Sequence, residues 1–223
     1  MRTWRNHSAV VAGQSRDGGE VNPFPNPYQI TRDFEQGLCL YTGSRFAVAV
    51  NSCTAALMLA CAWFLPREVQ VPRHTYCSVP QAIIRGGHTV SFTNDKWSGA
   101  YQLQPLPIWD SARRFTSGMY ISGQYQCVSF AAAKILGIEQ GGAILHDNED
   151  ADVWFRRMRF DGRTEGLDPF ETEFKEVAHH CIMLPSIAAQ GLLRLHHLPQ
   201  HNEDMPDYAY PDLSKFDWNQ MLK

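Results

Sequence analysis

Lysine is scarce in this chain: Lys96, Lys134, Lys175, Lys215 and Lys223 are the whole set among 223 residues. Long apolar runs are missing too. The longest, Thr54 to Leu65, has twelve residues, short of the ~20 that a membrane-spanning helix needs, so no membrane association is expected. The opening residues Met1 to His7 lead into no apolar segment of the secretory type. The expected location is therefore the cytoplasm, or the host cytoplasm for a viral protein. Six cysteines, Cys39, Cys53, Cys61, Cys77, Cys127 and Cys181, form no CxxC pair and no metal-type spacing, which predicts no metal site and reduced, buried thiols. No glycine-rich loop of the GxGxxG or Walker type argues for a nucleotide. The net charge of −3 carries no global signal for nucleic acid, which leaves a local basic patch open.

What is present is a globular composition, 44% hydrophobic and 19% charged, in a chain long enough to bury a core without staples. Residues 1–28, ending in Asn22-Pro-Phe-Pro-Asn-Pro-Tyr28, read as an N-terminal arm. Residues 29–198 read as one α/β domain and residues 199–223, with Pro199, Pro206 and Pro211, as a tail packing on the body or on a partner. Within the domain, Ile30 to Tyr41 has helical spacing and Gly43 follows as a stop. Phe46 to Val50 is a strand that leads through Asn51-Ser-Cys-Thr54 into an Ala/Leu-rich helix. Glu68–Pro72, His88–Phe92, Pro107–Asp110, Gln126–Phe130 and Gly142–Leu145 continue the strands. Ser78–Arg85, Asn148–Phe160 and Leu184–Leu198 supply further helices. This alternation predicts an α/β fold with a mostly parallel sheet flanked by helices, with ligands just after the strands.

Lys134 stands out because no other charge lies between Gln124 and Ile138. Burying an ammonium costs several kcal/mol unless it is paired or used, and a desolvated amine has the lowered pKa that attack on a carbonyl requires. The plain alternative is a lysine at a strand end that snorkels to solvent. Asp110 ends the strand in Leu106-Pro-Ile-Trp-Asp-Ser-Ala-Arg-Arg114, where it serves either catalysis or a helix N-cap. Ser52, Cys53 and Thr54 open a helix directly after a strand, so they either receive a phosphate at the positive helix end or simply cap it.

Together and in this order, these features resemble the DegT/StrS-type sugar aminotransferases, fold-type-I enzymes of pyridoxal phosphate (PLP). The resemblance runs from about Phe34 to Gly162. It is carried by Phe46-Ala-Val-Ala-Val-Asn-Ser-Cys-Thr-Ala-Ala-Leu57, Val71-Pro-Arg-His-Thr-Tyr76, Trp109-Asp-Ser-Ala112, Ser129-Phe-Ala-Ala-Ala-Lys134 and Glu139-Gln-Gly-Gly142. The family's roles, placed on matching positions, imply that Lys134 forms the Schiff base with the PLP aldehyde and later shuttles protons. Asp110 would hold the pyridine nitrogen protonated. Tyr76 would stack on the ring, and Ser52, Cys53, Thr54 and Ser129 would cradle the phosphate. Departures accompany these matches. Arg113 replaces the usual Gln beside the phenolic oxygen, where a cation would stabilise the phenolate. Only seventeen residues separate Phe92 from Asp110, where the family has a further strand and helix. The family's Asn-x-Arg-Met turn is represented by His180-Cys-Ile-Met183, and its C-terminal small domain is not expected within 223 residues.

The resemblance implies amino transfer from an amino-acid donor onto a keto-sugar, carried on a nucleotide, or a similar carbonyl. A site lacking one wall also suits a bulky substrate, and short variants of this kind resemble bacteriophage PLP enzymes acting on amino-acid-derived groups of modified DNA bases. Decarboxylation of such a group, with Arg113 or Arg114 as carboxylate clamp, is the alternative. A non-catalytic protein keeping the fold is the third reading. A homodimer with shared active sites is expected, with the aromatics Phe24, Tyr28, Tyr208, Tyr210, Phe216 and Trp218 of the arm and tail at its interface.

Overall fold

The computed structural model describes residues 26, 28–165, 173–206 and 208–221; most of the expected arm, Phe24 included, lies outside them. Ile30, Phe34, Leu38 and Tyr41 place one face of α1 (Gln29–Thr42) on the core, and Gly43, at φ +84°, ends the helix in the left-handed conformation that glycine adopts at low cost. The chain then alternates through β1 (Phe46–Val50), α2 (Cys53–Ala62), β2 (Glu68–Pro72), α3 (Ser78–Arg85) and β3 (Thr89–Thr93). Next come β4 (Tyr101–Gln102), β5 (Ile108–Asp110), β6 (Tyr125–Ser129), β7 (Gly142–His146), α4 (Glu149–Met158) and α5 (Pro185–His197). The Asn148 side chain caps α4 at the Ala151 N–H, 2.9 Å away, with acidic residues in its first turn and Arg156 and Arg157 in its last.

Five strands form one sheet in the order β1-β7-β6-β5-β4, and β2 pairs with β3. Gln70 and Gln104 exchange backbone hydrogen bonds of 2.7 and 3.1 Å, which joins the pair to the free edge of β4. β1, β2, β3, β5 and β6 run one way while β4 and β7 run against them, so only β5–β6 and β2–β3 pair in parallel. The pairing is thus more antiparallel than strand–helix alternation predicts, and at β4 the short connection is the reason. A parallel return needs a crossover of a dozen or more residues, usually with a helix. Between β4 and β5 only residues 103–107 intervene, so the chain turns back as a hairpin.

Alternate strand residues serve opposite faces. Val48, Val50, Cys127 and Ile144 pack with α2, α3 and Phe155 of α4. Ala47, Ala49, Val128, Ala143 and Leu145 pack with Phe34 and Leu38 of α1 and Ile187 and Ala188 of α5. Both faces being covered, these strands are apolar along their whole length.

The tail folds back onto its own body. Asn219 bonds both the N–H and the carbonyl of Val90, at 2.9 and 3.0 Å. The Leu213 N–H reaches the Arg73 carbonyl at 2.9 Å, and Trp218 packs on the α2–α3 side of the core. Tyr28, the arm residue next to α1, sets its ring edge-on to Phe160, 5.3 Å between centroids. Cys61, Cys127 and Cys181 are buried free thiols, as expected, but Cys77 is exposed because it lies just before α3, outside the core. Among the described residues no helix is long and apolar enough to cross a membrane.

Candidate active site

The strands that run together end at one rim, where Val50, Pro72, Asp110 and Ser129 give way to loops; ligands bind at such ends in open α/β sheets. A cavity of about 690 Å³ opens there. It is lined by Ser52, Cys53, Thr54, Tyr76, Asp110, Arg113, Ser129 and Lys134, all singled out in the sequence, but not by Arg114.

Asp110 is buried as the last residue of β5. No helix follows it, so the N-cap alternative falls away: its Oδ1 accepts the N–H of Ala112 in a turn, at 3.0 Å. Its Oδ2 accepts from the Tyr101 hydroxyl at 3.0 Å, and that hydroxyl lies 2.5 Å from Thr75 Oγ1. Burial pushes the Asp110 carboxyl above its ordinary pKa, and the Ala112 and Tyr101 hydrogen bonds and the Lys134 charge only partly offset this. Among the described residues no cation pairs with it.

Lys134 projects from the loop joining β6 to β7. Its own N–H closes a turn on the Ala131 carbonyl at 2.8 Å, and Ile138 N–H returns to the Phe130 carbonyl at 3.0 Å. This loop fixes the lysine against the cavity instead of releasing it to bulk water. Desolvation, then the Arg113 charge, lower the pKa of its ammonium, against the pull of Asp110 and Cys53. No carboxylate among the described residues forms an ion pair with it.

The α2 N-terminus forms the third wall. Ser52 Oγ accepts the Ala55 N–H at 3.1 Å and donates to Asn51 Oδ1 at 3.1 Å, so this hydroxyl does cap the helix. Thr54 Oγ1 lies 2.7 Å from Ser78 Oγ at the start of α3, which pairs the openings of two helices. The Cys53 thiol instead points to the Cys127 carbonyl at 3.6 Å, and burial holds its pKa well above the ordinary range. Only the backbone N–H of Cys53 is left for a ligand, as an early donor of the helix. Gly142 explains the close seat of this turn: a Cβ there would come within 2.5 Å of Cys53 N and 2.6 Å of Ser52 C.

Tyr76 stands half out of the cavity, 57% exposed, edge-on to Tyr210 at 6.3 Å. Arg113 is only 8% exposed. Its guanidinium donates to the Pro206 carbonyl, lies 3.5 Å from the Tyr210 hydroxyl, and leaves Nε without a partner. Arg114 is not a clamp of the cavity, because Asp204 of the tail holds its Nε and Nη2 at 2.8 and 2.6 Å. Sequence reasoning missed Thr75, Trp97, Tyr101 and Ser78, and did not foresee that Met205, Tyr208, Tyr210 and Pro211 of the tail would line the cavity. A Tyr-Gln strand of two residues has no periodicity to find. His180, in the stretch compared with the Asn-x-Arg-Met turn, pairs at 2.7 Å with Asp161, while Cys181 and Met183 enter the two cores.

Residues 20–108 match the DegT/DnrJ/EryC1/StrS aminotransferase family. The structure superposes on NtdA from Bacillus subtilis, solved with bound cofactor PMP, at a TM-score of 0.63 and 18% identity. It covers 76% of this chain and 48% of that one. This chain shares the fold of that structure. PseC from Helicobacter pylori, an aminotransferase involved in the biosynthesis of pseudoaminic acid, gives 0.63 at 19% identity over 75% of this chain and 57% of its own. A putative sugar aminotransferase, Spr1654 from Streptococcus pneumoniae, in its PMP form gives 0.62 at 22% over 76% and 59%. The chain thus spans about half the length of these structures. No curated protein sequence matches it.

The cavity fits the cofactor such folds hold. Among the described residues it offers a buried carboxylate without a cation, an amine without a carboxylate, and a hydroxyl-rich helix start. Those are complements of a pyridinium, an aldehyde and a phosphate respectively.

Proposed function

We propose that this protein is a PLP-dependent, aminotransferase-like enzyme moving an amino group from an amino-acid donor to a keto-sugar or a similar carbonyl. The observation that carries this reading is the pair Asp110 and Lys134: two ionisable groups of opposite kind, in no ion pair among the described residues, facing one cavity. When bound, the cofactor supplies a carbonyl that captures amines and a ring that withdraws electrons from the bonds beside the captured nitrogen.

The chain's own residues supply the rest. Lys134 Nζ would be the attachment point, and desolvation together with the Arg113 charge, by lowering its pKa, leaves a larger share of it as free amine able to take and return a proton. Asp110 would hold the protonated ring nitrogen, whose positive charge would offset the burial that raises its pKa. Tyr101 and Ala112 orient that carboxylate through one hydrogen bond to each oxygen. Thr54, Ser78 and Ser129 hydroxyls, with the first N–H groups of α2, bind the phosphate. Ser52 acts one step back by fixing the helix start. Tyr76 supplies a ring face at the rim, and the tail residues Met205, Tyr208 and Tyr210 restrict water entry from the other side.

Absorption spectra and borohydride reduction followed by peptide mapping test this. The adduct is expected on Lys134; an adduct on another lysine, or no cofactor uptake at all, refutes the proposal. Carbon dioxide release in place of amino transfer would favour the second reading, decarboxylation of a bulky substrate, for which the exposed Tyr76 and Tyr208 at the mouth leave room. A homodimer with shared sites belongs to the same proposal. Tyr208 and Phe216 of the tail stay 66% and 52% exposed, and aromatics of this kind are enriched at interface cores.

A further inference from the structure

Asp110 owes its closest side-chain donor to the register of the sheet. In the antiparallel pair of β4 and β5, Tyr101 stands directly opposite Asp110 and Gln102 opposite Trp109. Residues opposite each other in such a ladder send their side chains to the same face, so the phenol of Tyr101 reaches the carboxylate. Its hydroxyl donates to Asp110 Oδ2 at 3.0 Å, and both residues are buried. A slip of the hairpin by one residue would put Gln102 there and turn the tyrosine to the other face. The register is held: the Leu103 N–H reaches the Ile108 carbonyl at 2.8 Å, and Gln102 Nε2 the Leu106 carbonyl at 2.8 Å.

The hydroxyl itself is braced from a third element. Thr75, just past β2, places its Oγ1 2.5 Å from the Tyr101 hydroxyl, and the Tyr101 ring packs 4.7 Å from Trp97, whose indole bonds the His74 carbonyl. A phenol has one proton, and an ionised carboxylate only accepts. With the tyrosine proton on Asp110, the contact with Thr75 is one in which Thr75 donates to the phenol oxygen. The hydrogen bonds then run one way, from Thr75 to Tyr101 to Asp110, and each link polarises the next. Thr75 and Asp110 line the cavity and Tyr101 does not, so the tyrosine joins two parts of the wall from behind.

We propose that Tyr101 is a positioning residue whose hydroxyl, braced by Thr75, keeps Asp110 ionised at the cavity wall before a ligand arrives. This rests on the aminotransferase-like reading for what the carboxylate then meets, a protonated ring nitrogen. The titratable groups facing Asp110 are Lys134 of the loop after β6, the Cys53 thiol at the start of α2, the Cys127 thiol of β6, and Tyr101 itself. Burial raises both thiols and the phenol well above their ordinary pKa values, so none of them competes as an anion. Burial also pushes the Asp110 carboxyl up, and against it stand the Ala112 N–H, the Tyr101 hydroxyl and the Lys134 charge. Of these the hydroxyl can be removed without touching the backbone or the cavity lining.

Infrared spectra of the full-length, cofactor-free protein across a pH series test the proposal, with Asp110→Asn identifying the Asp110 carboxyl band. In Tyr101→Phe, which keeps the ring beside Trp97 and removes only the hydroxyl, the protonated carboxyl should persist to a pH about one to two units higher than in the wild type, the scale for one hydrogen bond to a charged group. Thr75→Val should move the titration the same way by less, and serves if Tyr101→Phe fails to fold. An Asp110 titration identical in the wild type and both variants would overturn the proposal. So would a titration displaced to lower pH in Tyr101→Phe, which would mean that a protonated Asp110 donates to the tyrosine. If PLP added to the wild type is not taken up while the titration is displaced upward in Tyr101→Phe, the enzymatic reading fails and the role of Tyr101 stands.

Discussion

Two groups of buried charges lie on this scaffold, and they are built on opposite rules. Behind β1, Glu35 accepts from the Ala49 N–H at 2.9 Å and pairs with Arg156 at 2.6 Å and Arg159 at 2.5 Å. Arg159 also meets Glu165 at 2.5 Å, Glu165 meets Arg32 at 2.7 Å, and Arg156 meets Asp152 at 2.7 Å. Desolvation would raise the Glu35 pKa, yet the two arginines together bring it below its ordinary value. In the cavity Asp110 and Lys134 have no such reciprocation among the described residues, and burial wins at Asp110. Charges that fasten the fold are paired within the chain. Charges left unpaired in a cavity are held for something the chain does not contain.

Substitutions at the two sites should separate along that line. The largest effect expected is from Lys134→Ala, which should abolish turnover and the reducible covalent adduct while thermal unfolding stays near the wild type, because no ion pair is broken. Circular dichroism melting and an amine-transfer assay on the same sample check both halves. Glu35→Gln should do the reverse. It leaves Arg159 and Arg156 without their shared carboxylate, and removing one member of a buried ionic group costs about 3–5 kcal/mol; urea unfolding measures this. Asp110→Asn should lower kcat by about a hundredfold to a thousandfold, the scale for losing one preorganised electrostatic contact, yet leave the cofactor-free protein as stable as the wild type or more so. A variant with normal kcat would reduce Asp110 to a support for the turn at Ala112.

The pH dependence sharpens the contrast, because the two carboxylates shift in opposite directions. Glu35, lowered from 4.5, contributes stability that is present above that value and lost as pH falls through its folded pKa. Asp110, raised from 3.8, binds its proton more readily when folded, so its burial penalty is absent at low pH and grows as pH rises from 3.8 through its folded pKa. The stability gap between wild type and Glu35→Gln should therefore shrink on acidification. The advantage of Asp110→Asn over the wild type, measured without cofactor, should shrink as well. A gap at Asp110 that widens in acid would mean that this carboxylate is paired after all. The smallest effect expected is in assembly: sedimentation of active protein should give twice the 25.3 kDa chain mass, and a fully active monomer would leave the tail as the sole wall.

Much of this site could be read before any coordinates, because its parts lie where local sequence changes character. The join from Val50 to Cys53 is a strand meeting a helix start, and Lys134 is a lone charge in an apolar stretch. Both signals are short-range. Asp110 was visible but ambiguous, since a cap and a catalytic carboxylate look alike until the residues after it are seen to form a turn and no helix. Arg113 and Arg114 are adjacent and of one type, and only a partner ninety residues further along the chain distinguishes them. Tyr101 and Thr75 entered through a hydrogen bond spanning twenty-six residues and a strand too short to have a pattern. The reversal of β4 escaped for a related reason: alternation reports element type, while direction there is set by the short connection of residues 103–107.

Trp97 makes the cavity observable by eye of the fluorimeter. Its indole lines the cavity, donates Nε1 to the His74 carbonyl at 2.9 Å, and lies 4.7 Å from the Tyr101 ring and nearly parallel to Tyr210 at 6.1 Å. It therefore touches the residue that orients Asp110 and the segment that braces Arg113 at the same time. An indole in that position emits light whose colour and yield depend on both neighbours. Its emission should change when a ligand enters the cavity beside Asp110, so the native sequence already contains a reporter that can time that event in a stopped-flow trace.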